Sequence, residues 1–524
     1  AQLSTEAVEY SKKVYEYVQK QKELVRDPEA VRYGANKVGF DVVIGNPPYV
    51  RQELLGTIQK DYFSKKYPNV YNGIADLYVY FYGLSLIIVK NDGYIGFITP
   101  NKWMERQYGQ ELRNFLINYN IFLIVNYSEL NIFEDASTEP AIIVIKNQLS
   151  ENNISYMSVK SLEQAKDAIY DLISYRKENL NTNIWRFTNS NTNSILAKFK
   201  EGDITLDDYT DGGVYYGIKT GLNEAFIIDQ KTRDAILRKD YKSGVILKKM
   251  VEGDDFGAWH LNHSGRYLVA TQFELNVPKD YPVIFEYLKQ FQLKLEKRQD
   301  QGINFWNLRA CDYYDKLEKP KIIYYHTAKK HSFYLDTDGY YISANCYFIS
   351  NADKYLQCIL NSKLFSFVKK YLFPAFGDNE SGGRIRLDAN KMIKLPIKNI
   401  IPESKQPFIE KADVMLALNK ELYSETDNFL STLREEKHIE KIPSKFEKFY
   451  ELSFESFKIE LIKQKIDFTY GAETNRWREY FNSVTDKLKL IKAEIDKTDT
   501  EIDRMVYVLY GLTEEEIMIV EEGI

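Results

Sequence analysis

Four consecutive residues, Asn46-Pro47-Pro48-Tyr49, follow the short apolar run Val42-Val43-Ile44-Gly45. Two prolines fix φ at successive positions and remove two N–H donors. The first of them also pushes Asn46 out of the helical region. The loop is therefore stiff, and its carbonyls point in set directions. The Asn46 side-chain carbonyl and the Pro47 backbone carbonyl can both accept from one amino group. Accepting both protons turns the nitrogen lone pair toward an electrophile. Tyr49 can stack on a ring, which is worth roughly 1–3 kcal/mol for a nucleobase. The set suits a flat molecule with an exocyclic amino group, a flipped adenine foremost. No acid–base residue is needed if that nitrogen attacks an activated methyl group directly. The competing reading is a plain strand-terminating turn, because Asn-Pro commonly opens turns. The strand-like run Phe40–Gly45 places the loop at a carboxyl strand end, where open α/β sheets bind ligands, and this favours function.

The surrounding pattern supplies elements to hold such a loop. A strand covers 40–45. Residues 74–90 are apolar and aromatic at helical spacing and predict a buried helix. Asn91-Asp92-Gly93 reads as a turn, and 94–99 as a strand stopped by Pro100. A helix over 104–119 turns Leu112, Phe115 and Leu116 inward, and strands follow at 121–127 and 141–146. Alternating strands and helices imply a mostly parallel α/β sheet. The last two strands are joined by a loop without room for a crossover helix, so they should pair antiparallel. Residues 5–26 read as a surface helix. No strand leading into a glycine-rich turn precedes Phe40, so a nucleotide-type cofactor half is not identifiable in residues 1–150. The expectation is a sheet that begins inside a domain, to be completed by an N-terminal part or by a partner subunit.

Composition bounds the remainder. The chain has 524 residues, 44% hydrophobic and 28% charged, an ordinary globular balance with room for two to four domains. Its net charge of −5 gives no global basic signature, although the distribution of charge matters more than the sum. Three cysteines, Cys311, Cys346 and Cys358, form no paired framework and no metal pattern, which fits a reducing cytoplasm. The polar, charged opening from Ala1 is not expected to act as a signal peptide, and no membrane-length apolar run is recognisable. His260 and His263, with His326 and His331 farther on, lack a supporting carboxylate or cysteine cluster, so no metal site is expected.

The segment FDVVIGNPPYV resembles the motif of the amino-directed adenine-N6 DNA methyltransferases, especially the TaqI-type enzymes and the fused type IIG restriction–modification enzymes. The resemblance implies S-adenosylmethionine as cofactor, double-stranded DNA as partner, base flipping, and a bacterial or archaeal cytoplasm. It assigns Asn46, Pro47 and Tyr49 to the flipped base. Phe133, in the loop Asn131–Pro140, is assigned as a second aromatic facing that base; the other reading of Phe133 is a core plug. Pro100-Asn101-Lys102-Trp103 would line the same cleft, with Trp103 equally readable as core. The implied fold is α/β, the second half of a Rossmann-like methyltransferase sheet, then an α+β target-recognition domain and a helical C-terminal region. The boundaries expected are 1–150, a helical connector over 151–183, recognition over 184–400, and helices over 401–524.

Several short segments carry the second part of the resemblance in order. They are Asp211–Phe226, Phe305–Arg309, Lys321–Tyr325, Tyr340–Ser343, Ile359–Lys363, Ser381–Arg386 and Leu395–Ile397. Within them Arg384 and Arg386 alternate, so one strand face can carry both guanidiniums. Arginine bidentate to guanine is the commonest base contact. Lys219, Arg309, Lys329 and Lys330 complete the expected DNA-binding set, the lysines as phosphate contacts that position without specifying. For any one of them the plainer reading is a solvated charge. No magnesium-binding nuclease carboxylates are recognisable, so Mg2+ is expected only if a nuclease lies upstream. Two other functions fit less of the pattern: a DNA-specificity module without activity of its own, and a methyltransferase of protein amides or RNA.

Overall fold

A computed structural model describes residues 39–523, apart from 128–138, 150–152, 160–171, 178–179, 181–184, 186, 188–189, 300–301, 374, 377–382, 440–441, 465 and 467–470. The chain forms two compact units, Ala1–Ser190 and Asn191–Ile524. The expected helix over 5–26 and the Phe133 position lie outside the described residues. Among the described residues no helix is long and apolar enough to cross a membrane.

The first unit is built on a six-stranded sheet in the order β1-β2-β4-β3-β5-β6. Its strands are β1 (Phe40–Gly45), β2 (Val89–Pro100), β3 (Tyr119–Asn126), β4 (Pro140–Leu149), β5 (Asn153–Ser158) and β6 (Ile173–Arg176). β1 runs parallel to β2, with Val43 opposite Ile95 and Gly45 opposite Phe97. β4 lies antiparallel between β2 and β3, as the short connection requires. β5 is parallel to β3, and β6 returns antiparallel. The carboxyl ends of β1, β2 and β3 therefore share one edge of the sheet. The helix α1 (Thr57–Lys66) follows β1, and the apolar helix α2 (Tyr78–Ile88) precedes β2, burying nine of its residues. One core cluster joins α2 to Ile95, Phe97, Ile124, Ile143 and Ile145 of the sheet.

Three expectations are corrected here. Asn91-Asp92-Gly93 is absorbed into β2 as a bulge, with Asp92 at φ 62° and a register shift between Phe40 and Val42. The helix expected over 104–119 is reduced to α3 (Gln110–Leu116), preceded by two 3-10 turns, Asn101–Met104 and Gln107–Gly109. The buried Arg113 guanidinium donates to the carbonyls of Trp103 and Arg106, which holds those turns away from α-helical pairing. Within the expected connector 151–183, β5 and β6 take the place of helix. Ile154 and Tyr175 are buried opposite one another on these neighbouring strands, so cross-strand pairing and burial outweigh the polar composition.

The second unit contains four small sheets. One runs β15-β10-β11-β9 (Tyr341–Ile342, Leu247–Val251, Arg266–Val269, Ile227–Asp229) and one β14-β12-β16-β8 (Phe333–Asp336, Lys321–Tyr325, Cys346–Ser350, Val214–Tyr216). The other two are β13-β18-β17 (Thr327–Ala328, Arg384–Arg386, Ala375–Phe376) and β19-β7 (Pro396–Ile397, Ile204–Thr205). Helices α4 (Lys363–Leu372), α5 (Pro402–Lys437), α6 (Ala472–Leu509) and α7 (Glu514–Glu522) follow. α5 and α6 form an antiparallel hairpin, fixed in register by Lys411–Glu501, Lys487–Glu425 and Lys437–Glu473. Their apolar faces are not separate from the sheets. Phe408, Met415, Phe429, Leu488 and Val506 share one core cluster with Ile322, Tyr324 and Leu356. The end of the hairpin follows the sequence signals: Gly511 sits at φ 65°, and Thr513 and Glu516 form a reciprocal capping box.

Asp503 of α6 is buried beneath the start of α4. Its Oδ1 accepts the Lys363 N–H at 2.8 Å, and the Lys363 Nζ stands 3.7 Å from its Oδ2. Burial is the main force raising its carboxyl from 3.8 to about 7; Asp499 and Glu521 add to the rise, and Lys363 opposes it. The folded chain therefore binds this proton more tightly than the unfolded chain. The stability that proton confers is full below the unfolded value and falls as pH climbs through the folded one. Asp503→Asn keeps an acceptor for the Lys363 N–H and removes the titration. Its melting temperature should exceed the wild type's at about pH 8, with the gap narrowing as pH falls and closing only below the unfolded value of 3.8. A pH-independent difference between the two proteins would reject this account.

Candidate functional site

The Asn46–Tyr49 loop leaves the carboxyl end of β1, next to the end of β2. Asn46 is exposed, Pro47 is buried, and Pro48 and Tyr49 are half-buried. The stiffness expected from the two prolines is reinforced from outside. Val50 accepts a hydrogen bond from the Leu77 N–H at 2.9 Å, just before α2. Two residues on, the Gln52 N–H donates to Asp76 Oδ1 at 2.9 Å. The Tyr49 hydroxyl donates to the Ile98 carbonyl at 3.3 Å. Its ring meets Tyr78 edge-on, with centroids 6.3 Å apart and planes at 78°. Burial raises the Tyr49 phenol, so it remains a neutral donor at ordinary pH.

The residues behind the loop form a polar net within an aromatic wall. Tyr78 and Tyr108 share a hydroxyl–hydroxyl bond of 2.9 Å, and the Tyr82 hydroxyl meets Thr99 Oγ1 at 2.8 Å. Burial raises the Asp76 carboxyl, opposed by the Gln52 N–H and by Arg51 and Lys102. Asp76 was not a candidate from sequence alone. The only signal was a lone carboxylate directly before a long apolar run. Trp103 is fully buried, packed on Tyr82 and Trp185, so it belongs to the core and not to the cleft surface. Asn101 lies at the shared edge, where its Nδ2 donates to Asn126 Oδ1 and its N–H to the Glu139 carbonyl. The loop that carries Phe133 departs from this same edge, between Tyr127 and Glu139.

The basic candidates all lie in the second unit and fall into two groups. Arg384 and Arg386 project from β18 to the exposed side, with Ile385 buried between them, as the alternation requires. Arg386 Nε is held by Asp388 at 2.7 Å. β18 pairs with β13, and the exposed Lys329 and Lys330 follow β13 directly. These four residues therefore gather on one small sheet.

Lys219 and Arg309 belong to two other loops. Lys219 is exposed, with its ammonium 5.3 Å from the Tyr216 ring centroid, and Arg309 is also exposed. The buried Arg298 ties the two loops together. It donates to the Thr220 carbonyl at 2.9 Å, to Phe305 at 2.7 Å and to Asn307 at 2.9 Å, and it lies over Phe226. Two histidines are occupied within the fold: His260 stacks on Tyr423, and His263 Nε2 lies 2.7 Å from the Arg266 carbonyl.

Comparison with known proteins adds an independent line. Residues 3–133 match the family described as Eco57I restriction-modification methylase, and residues 249–397 match the TaqI-like C-terminal specificity domain. Residues 401–506 match a domain of unknown function. The chain is 25% identical over 405 residues to the type II methyltransferase M.BstVI of Geobacillus stearothermophilus, covering 71% of this chain and 70% of that one. It is 23% identical over 438 residues to the type II restriction enzyme and methyltransferase RM.Eco57I of Escherichia coli, covering 74% of this chain and 43% of that one. Among solved structures it is similar to the type IIL restriction–modification enzyme MmeI in complex with DNA. That match has a TM-score of 0.49 and 13% identity, over 92% of this chain and 56% of that chain.

Asp76→Ala leaves the Gln52 N–H without its acceptor, which in this half-buried setting costs about 1 kcal/mol. Denaturant unfolding should show that loss. Hydrogen exchange should show faster exchange in the segment 46–55, and Asp76→Asn should restore most of the protection. Unchanged exchange in Asp76→Ala would mean that the loop is held without this carboxylate.

Proposed function

We propose that the chain is part of an Eco57I-type restriction–modification methylase with a TaqI-like specificity domain, and that the full-length protein methylates N6 of an adenine swung out of duplex DNA. The observation that supports this most is the clamped loop at the carboxyl edge of the sheet. Asn46 and Pro47 would accept the two protons of the exocyclic amino group through their carbonyls. That geometry leaves the nitrogen lone pair directed away from the loop. Tyr49, tethered at its hydroxyl to Ile98, would offer a ring face to the adenine. Phe133 would close on the base from the loop between β3 and β4. A flipped base is paid for by unstacking, so a rigid receiving pocket is worth most where the loop is already fixed before binding.

S-adenosylmethionine, when bound, supplies the electrophilic methyl group. In the first unit no described strand runs into a glycine-rich turn of the kind that cradles such a cofactor, so the roles of these residues all fall on the acceptor side. The reading extends to a fused type IIG enzyme, in which a cofactor-binding half and a nuclease would be covalently joined to this segment. The second unit would choose the sequence, with Arg384 and Arg386 reading bases. Lys219, Arg309, Lys329 and Lys330 would hold phosphates. The recognition segment would then begin near residue 184 and end near 400, with the helices after 401 packing against it.

Asn46→Ala in the full-length protein should lower methylation turnover by about 10²–10³-fold, the scale on which one preorganised polar contact to the reacting group acts. Tyr49→Ala should lower it by about 10–100-fold through lost stacking. Neither should change specific DNA affinity by more than about 3-fold, because base contacts outside the loop carry that term. Methylation at the wild-type rate by either variant would remove that residue from the mechanism.

For the arginines the readout is the methylated motif. Arg384→Ala or Arg386→Ala should relax one position of that motif, by about 1–3 kcal/mol of discrimination. An unchanged motif with a salt dependence shallower by about one charge would make the residue a phosphate contact.

A further inference from the structure

His326 lies between β12 and β13, at the border between the buried sheet and the arginine-bearing strand. Its imidazole is fixed on two sides. Nδ1 sits 2.9 Å from the Asn345 carbonyl. The ring stacks on Tyr347, with centroids 5.0 Å apart and planes within 8°. A carbonyl can only accept, so Nδ1 carries the proton. In the neutral ring Nε2 is then an acceptor, and among the described residues it makes no hydrogen bond.

The support behind this ring is continuous with the core. Tyr347 is the cross-strand neighbour of Tyr324 on β12, with ring centroids 5.9 Å apart. Tyr324 in turn packs on the buried Phe333 at 5.3 Å. The other flank of Tyr347 is Tyr216, its partner on β8, which is 47% exposed and carries the Lys219 ammonium over its ring. On the side of β18 the His326 carbonyl accepts the Leu387 N–H at 2.8 Å, immediately after Arg386. A half-exposed acceptor of fixed tautomer thus stands beside the arginine pair, on a stack of rings that cannot easily move. A group that only positions a backbone does not need this degree of fixing, whereas a group that reads a hydrogen-bond pattern does.

We propose that His326 is a specificity-determining residue, with Nε2 accepting a hydrogen bond from the exocyclic amino group of a base in the major groove. Only adenine N6 and cytosine N4 offer such a donor there, so the residue selects amino-bearing bases at one position of the site. The proposal rests on the reading of the second unit as a DNA interface. Tyr347 and Asn345 are its positioning residues, acting through the imidazole.

Selection of randomised duplexes by the full chain at about pH 8, where an imidazole is ordinarily neutral, tests it. The wild type should enrich one motif containing a position restricted to adenine or cytosine. His326→Ala should relax that position alone by about 10- to 100-fold, with the remaining positions retained. His326→Gln, which keeps a side-chain acceptor, should restore part of the restriction, and equal melting temperatures exclude a folding defect. An unchanged motif in His326→Ala overturns the proposal, whether affinity is kept or falls uniformly, since uniform loss marks a phosphate contact. A wild-type chain that enriches no motif overturns the DNA reading itself, and this proposal with it.

Discussion

The parallel pairing of β1 with β2 is the constraint on which the candidate site depends. Val43 opposite Ile95 and Gly45 opposite Phe97 bring the ends of both strands to one edge. Only then can the Tyr49 hydroxyl reach the Ile98 carbonyl, and only then do Leu77 and Asp76, at the entrance to α2, face Val50 and Gln52. A one-residue slip in this pairing would turn the strand residues of β1 to the opposite face and shift the start of the loop away from Ile98. The bulge at Asp92 lies at the far end of the same pair, where the irregularity in β2 is absorbed away from the loop. Two prolines limit the backbone of the loop, but its position comes from three hydrogen bonds made by residues distant in sequence.

The second unit follows a different principle. Its sheets are small, and a strand of two or three residues has little independent stability. The sheet built on β12 and the strands β18 and β19 are held because their inner faces join the apolar stripe of the α5–α6 hairpin in one cluster, whereas β9, β10, β11 and β15 pack in a second cluster of their own. The hairpin therefore acts on the strand carrying Arg384 and Arg386 through packing, although its outer face is charged and its ends are far apart in sequence. The buried Asp503 belongs to the same joint, where the start of α4 rests on α6. This arrangement also explains why rigid side chains can stand on short strands: Arg384 and Arg386 flank a buried Ile385, and the imidazole of His326 rests on rings anchored in the core.

Much of the first unit was legible in the sequence. The Phe40–Gly45 strand, the apolar helix before β2, and the antiparallel return of β4 all follow from apolar period and connection length. The misjudged elements share a cause. The 104–119 helix is cut short because the buried Arg113 takes up the carbonyls of Trp103 and Arg106, a tertiary interaction that no local pattern announces. The 91–93 turn became a bulge because strand pairing continued through it. Strands β5 and β6 were hidden because their few buried residues, Ile154, Met157 and Tyr175, show no regular period, and only pairing to β3 and to each other fixes them. In the site, the loop itself was visible as a motif. Asp76 was not, because its role is defined by an amide donor twenty-four residues earlier in the chain. Likewise Arg384 and Arg386 were visible as alternating charges, whereas Arg298 looked like one charge among many until the distant Thr220 carbonyl joined its nearer partners, Phe305 and Asn307.

Arg298 has a consequence for how such a surface can change over time. The loop at Thr220 and the loop at Phe305–Asn307 hang from one guanidinium, so neither can be lengthened or reshaped while the other stays still. An insertion in either would drag its partner or strand a buried cation. Drift in this part of the surface should therefore proceed by exchange of both loops as a single cassette.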